Sequence, residues 1–188
     1  MQAIDLLLNR RSARSLSEPA PDDATLDLIL SSAARAPDHG RLRPWRFVLI
    51  RGEARGRFGE LLADQLRRAH PHTPPDSLQR ERGKALRAPL IVVVAARCQA
   101  GVKIPVLEQV LACAAAAHAI MLAALALGFS SMWKTGAAAY DAVVKEGLGL
   151  EAGDSIVGFM YLGTESAPQG PPEPASWRDL ASELPASA

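Results

Sequence analysis

Leu90-Ile91-Val92-Val93-Val94 is an unbroken run of branched aliphatic residues set between Pro89 and a polar turn. Branched side chains crowd a helix and pack well on a pleated surface, so the run reads as a central strand. Arg46-Phe47-Val48-Leu49-Ile50 has the same character upstream, and Ser130 to Thr135 and Ile156 to Leu162 supply two more strands downstream. Helical signals fill the intervals. A short helix covers Ala3 to Asn9. A second, capped by Asp22 or Asp23, presents Leu26, Ile29, Leu30 and Ala33 on one face and ends near Pro37. Ala54 to Ala69 is a third, and Pro71, Pro74 and Pro75 break the chain before a fourth near Asp76 to Leu86. Pro105 suits the first turn of a long helix that Gly128 closes, and Asp141 starts a last one closed by Gly147 or Gly149. This alternation gives an α/β or α+β class and leaves the sheet topology open.

A chain of 188 residues, 48% of them hydrophobic, is long enough for one folding unit with a sizeable core. The formal net charge of +1 provides no general field for nucleic acid or an anionic membrane, so any anion must be bound locally. Cys98 and Cys113 stand far apart with no CxxC spacing, which argues for free thiols. The first ten residues carry no apolar segment before a cleavage site, and a cytoplasmic protein is expected. Val110 to Phe129 is uncharged, but its alanine content, central His118 and lack of basic flanks favour a buried core or dimer-interface helix over a membrane span. His118 itself reads as a hydrogen-bonded core histidine. From Thr164 the chain is rich in proline and cannot build a core alone, so residues 1–164 form the expected domain. Residues 165–188 are then a disordered tail or an arm laid over a partner subunit.

Arg10-Arg11-Ser12-Ala13-Arg14 places three guanidinium groups and a hydroxyl within five residues of a nearly neutral chain. Arginine forks match phosphate oxygens, and a serine hydroxyl or backbone amides complete such a shell; a solvated basic loop has the same composition. More specific is the order that follows: Ala34-Arg35-Ala36-Pro37-Asp38-His39, then Pro44-Trp45-Arg46-Phe47 at a strand entry. Then come the long helix, Gly128-Phe129, Trp133-Lys134-Thr135-Gly136 and Ile156 to Thr164. In this order the chain resembles the nitroreductase family, and within it the compact YdjA-like subgroup, over nearly everything but the tail.

The resemblance implies an α+β fold with a central, mostly antiparallel sheet flanked by helices. It also implies a homodimer holding FMN at the subunit interface. Carried over residue by residue, Arg10, Arg11 and Ser12 would hold the FMN phosphate and ribityl end. Arg35 and His39 would approach the flavin from the other subunit, and Trp133, Lys134 and Thr135 would line the isoalloxazine edge. Met132 and Trp133 as neighbours suggest a partly buried Lys134, a cation that would raise the flavin potential. The implied reaction is ping-pong. NAD(P)H is a transient co-substrate that reduces the flavin at N5, and a nitroaromatic, quinone-like or other oxidised acceptor then takes its place. A non-catalytic FMN-binding or sensing module and a flavin oxidoreductase dedicated to one metabolite are the alternatives. Three positions depart from the family pattern: Arg43 replaces a glutamine, Lys134 replaces an arginine, and the tail lacks a basic phosphate-binding segment, leaving Arg178 there.

Other signals are weaker. No GxGxxG follows a strand, so no Rossmann site for a resident nicotinamide cofactor is expected. Ser131-Met132-Trp133-Lys134 fits SxxK and Lys134-Thr135-Gly136 fits KTG, but one lysine cannot fill both roles of a serine acylase. His70-Pro71-His72 has no ligand partner at metal spacing, and no metal is expected. The helix end 123–128 could border the nicotinamide position, but its residues carry no chemical signal.

Overall fold

The computed structural model describes residues 2–167, 169–173 and 175–184. Along the chain run α1 (Ala3–Asn9), β1 (Leu16–Ser17), α2 (Asp23–Ala33), β2 (Trp45–Arg51), α3 (Ala54–Ala69) and α4 (Pro75–Gly83). They are followed by β3 (Leu90–Ala96), α5 (Val106–Ala126), β4 (Ser130–Lys134), α6 (Ala142–Gly147) and β5 (Ser155–Glu165). Strands β4, β5, β3 and β2 lie side by side, β1 pairs with the far end of β5, and every pairing is antiparallel. The α+β class with an antiparallel sheet is therefore the observed one.

The β3 run is buried along its whole length because both faces of the sheet are covered. Ile91, Val93 and Ala95 point to a core shared with Phe58 and Leu62 of α3. Leu90, Val92, Val94 and Ala96 point to a second core built with α2 and α5. Fully burying side chains of this kind contributes roughly 1.5–3 kcal/mol each. On α5 the inward residues are Ala112, Cys113, Ala116, Ala117, Ile120 and Ala124, small enough to let the helix lie close on the sheet. This helix has the length and composition of a membrane span, but its inner face is packed as a core helix. Its outer face carries exposed Leu107 and Leu111, and His118 lies there too. His118 is thus no core histidine: it is exposed, and its ring makes no hydrogen bond among the described residues.

Two local devices aim the chain at the site. Gly128, at φ 85°, ends α5 with Phe129 N–H donating to Ala124 O (2.8 Å) and Gly128 N–H to Leu125 O (3.1 Å). This is a Schellman stop that turns the chain straight into β4. In β5 the register with β3 shifts between Val94/Gly158 and Ala95/Ile156, leaving Val157 as a bulge. The indole N–H of Trp133 donates to the Val157 carbonyl at 3.3 Å, and Gly158 leaves room for the ring, since a Cβ there would sit 2.7 Å from Trp133 Cδ1. The two-residue β1 was not expected, and it extends the ordered core past Thr164 because Leu16 pairs with Glu165.

Candidate functional site

α1 stops at Asn9, and Arg10 at ψ 125° turns the chain into an extended segment tied to β4 by Ala13 N–H to Ser131 O (2.9 Å). Arg10 and Arg11 therefore stand over the start of β4, on the rim of a cavity of about 330 Å³. Ser130 and Ser131 give it a polar floor, and Met121, Leu125 and Phe129 an apolar wall. Gln169 and Pro172 line it as well. Gln169 Nε2 donates to Ser12 O (3.4 Å) and Glu165 Oε1 (2.9 Å).

The two arginines differ. Arg11 holds Glu165 through both fork nitrogens, Nη1 to Oε1 at 2.6 Å and Nη2 to Oε2 at 2.7 Å. That hydrogen bonding raises the Arg11 pKa and keeps the Glu165 carboxyl below the usual carboxylate range. Arg10 makes no side-chain hydrogen bond among the described residues and faces the cavity as a free donor. A phosphate-sized anion fits this donor set, with Arg10 and the two serines as partners and Arg11 as a structural clamp. Because the Glu165 pKa is depressed on folding, its contribution to stability is present above about pH 4.3 and is lost as pH falls through the lowered folded value. Urea titrations of wild type and Glu165→Gln should therefore converge in acid; a gap that stays constant down to pH 2 would contradict the clamp.

Arg35 and His39 lie elsewhere in the same chain. Arg35 lines a separate cavity of about 410 Å³ with Asp38, Arg41, Arg43 and Trp45. Its loop is fixed by Arg43 N–H to Asp38 Oδ2 (2.6 Å), with Arg41 and Arg43 held at φ 52° and 49°. His39 Nδ1 is 2.6 Å from Glu108 Oε2 in the first turn of α5. Strand alternation separates the last group. Trp133 packs on the α2/α5 side, whereas Lys134 and Thr135 line a third cavity under α3 and α4. Lys134 is exposed, not partly buried as its neighbours suggested, because it ends the strand where cover stops. Within one chain Arg10 and Arg11 line one cavity, Ser12 beside them is exposed and does not line it, and Arg35, His39 and Lys134 lie apart from it. Ser130, Ser131 and Gln169 were missed; nothing in their residue types marks them, and the turn at Gly128 and the fold-back of Gln169 onto Ser12 bring them in.

This layout has known counterparts. Residues 7–164 match the nitroreductase family model, so the chain belongs to the nitroreductase family, a class of oxidoreductases. It is 42% identical over 164 residues to YdjA of Escherichia coli (strain K12), a protein with an NAD(P)H nitroreductase designation, covering 87% of this chain and 88% of that one. Among solved structures, a nitroreductase-like family protein from Bacillus cereus superposes with a TM-score of 0.83 at 23% identity, covering 98% and 96% of the two chains. A protein of nitroreductase designation from Desulfovibrio desulfuricans, solved in complex with FMN, gives 0.74 at 23% identity, covering 97% and 96%.

Proposed function

We propose that this chain is a cytoplasmic, homodimeric, FMN-dependent oxidoreductase that takes electrons from NAD(P)H and passes them to nitroaromatic, quinone-like or other oxidised acceptors in a ping-pong cycle. The observation that carries the reading is the cavity beside Arg10, an unpaired guanidinium over two serines in a chain of this family. FMN in the D. desulfuricans protein and the NAD(P)H designation of YdjA support it. Bound FMN would supply hydride acceptance from the nicotinamide and electron delivery to the acceptor. The chain's own residues bind and orient: Arg10 with Ser130 and Ser131 would form the phosphate end, Arg11 would hold that segment through Glu165, and the Trp133 to Thr135 segment would form the ring edge. Arg35 and His39, too far from Arg10 to share its cavity, would be offered to the partner's flavin. The exposed apolar face of α5 gives the dimer its contact. As a cation at the strand end, Lys134 would stabilise the reduced ring. Lys134→Met should then lower the flavin's midpoint potential, and an unchanged potential removes Lys134 from the mechanism.

The test is direct. Purified protein should be yellow, release FMN and not FAD on denaturation, and bleach anaerobically with NADH or NADPH. Retained FMN that neither nucleotide bleaches would leave a flavin-binding module; no flavin after reconstitution would end the reading. Mixing inactive Arg10→Ala and Arg35→Ala chains tests the shared site. Random pairing leaves about a quarter of sites with both residues intact if each site spans two subunits. Recovery near zero would place both residues in one chain's site.

A further inference from the structure

The third cavity, about 240 Å³, shares Lys134 and Thr135 with the flavin reading, but Phe58, Leu62, Arg87, Phe159 and Tyr161 in its lining have no part in that reading. It lies on the α3/α4 side of the sheet, away from the Arg10 cavity, whose wall comes from α5. Its floor is aromatic: the rings of Phe58 and Phe159 stand 5.3 Å apart at 46°, with Leu62 beside them. Tyr161, 3% exposed, lines it as well, and its phenol makes no hydrogen bond to any described residue. The hydroxyl is not sealed in the core, so it opens on the cavity. With no protein partner, the accessible hydroxyl is free to hydrogen-bond to a molecule in the cavity.

The rim is cationic. Lys84 is matched by Glu81 at 2.6 Å, whereas Arg87 and Lys134 have no carboxylate partner among the described residues. Burial pushes the Tyr161 hydroxyl up to about 12, so it stays a neutral donor across the physiological range. A dry cavity of about 150 Å³ holds a benzene molecule; this one has room for a single ring and one small charged group. We propose that it is a binding site for a single-ring aromatic carboxylate. The ring would lie on Phe58 and Phe159, and the carboxylate would accept hydrogen bonds from Arg87 and the Tyr161 hydroxyl, with Lys134 adding charge at the mouth. The inference does not rest on the flavin.

Benzoate is the probe, titrated into the full chain as purified and followed by ligand-observed NMR, with benzyl alcohol as the neutral control. Benzoate should saturate one site per chain and benzyl alcohol should bind at least ten times more weakly. Arg87→Gln, at an exposed position, should weaken benzoate roughly 10-fold or more, and Tyr161→Phe, which keeps the buried ring, roughly 3- to 10-fold. Arg10→Ala should leave benzoate affinity unchanged whatever it does to flavin. Absence of saturation up to about 10 mM, equal binding of the alcohol, wild-type affinity in both cavity variants, or loss of benzoate binding in Arg10→Ala would overturn the assignment.

Discussion

Arg10→Ala should lose FMN affinity by roughly 10- to 150-fold, the weight of a charge-assisted hydrogen bond of about 1.5–3 kcal/mol. The expectation follows from its free guanidinium at the rim of the Arg10 cavity. Arg11→Ala should behave differently. Its fork is committed to Glu165, so truncation strips a carboxylate of both its guanidinium hydrogen bonds and removes the anchor of the strand end that pairs with β1. The loss should appear first as a lower urea midpoint, and flavin release should follow from the loosened segment. Equilibrium dialysis of FMN beside urea curves on both variants separates the roles. If Arg11→Ala weakens FMN as much as Arg10→Ala does at unchanged stability, Arg11 is a direct phosphate ligand and the clamp is wrong.

Gly158→Ala should destabilise the fold by about 1–3 kcal/mol through overpacking, with roughly 1 kcal/mol more from the Trp133 hydrogen bond it breaks. For a domain of this size that is a fall in Tm of very roughly 4–16 °C. The added methyl has no vacant direction: it meets the indole that the bulge at Val157 draws in. Trp133→Leu should cost stability alone yet relieve the Gly158→Ala defect, giving a double mutant more stable than the sum of the two losses. Simple additivity would mean that the backbone, and not the indole, yields. In flavin-loaded protein the displaced Trp133 should also shift the visible absorption of the ring if the Trp133 to Thr135 segment borders it.

Most of the fold was legible because its signals are local. The helix from Ala54 to Ala69 appears as read, Asp22 and Asp141 cap their helices by accepting from Thr25 and Val144 N–H, and Gly128 stops α5 where expected. What escaped depends on distance along the chain. β1 is two residues held only by the far end of β5, and no propensity announces so short a strand. Asp154 is buried because Arg97 reaches it across 57 positions, at 2.9 and 3.1 Å, and holds its carboxyl below the usual range. His118 was misread because an alanine-rich helix looks uniformly buried until one knows which side the sheet takes. In the candidate site the charged residues were visible by type. Their division among three cavities was not, since it follows from strand alternation at Trp133 and Lys134 and from the fold-back of Gln169 onto Ser12.

The position of β2 has a consequence for how the chain survives its own synthesis. Among the described residues β2 pairs only with β3, so one flank of a seven-residue strand is open to recruit strands from other molecules. Arginines guard both ends of that flank. Arg46 folds its guanidinium back onto the Trp45 carbonyl at 2.9 Å and the Arg43 carbonyl at 3.3 Å, occupying acceptors that an invading strand would need. At the other end Arg51 is engaged by Asp23 at 2.5 Å, which sets a charged pair beside the last residue of the strand. These side chains at the two ends of β2 therefore act as gatekeepers against fibre-like association.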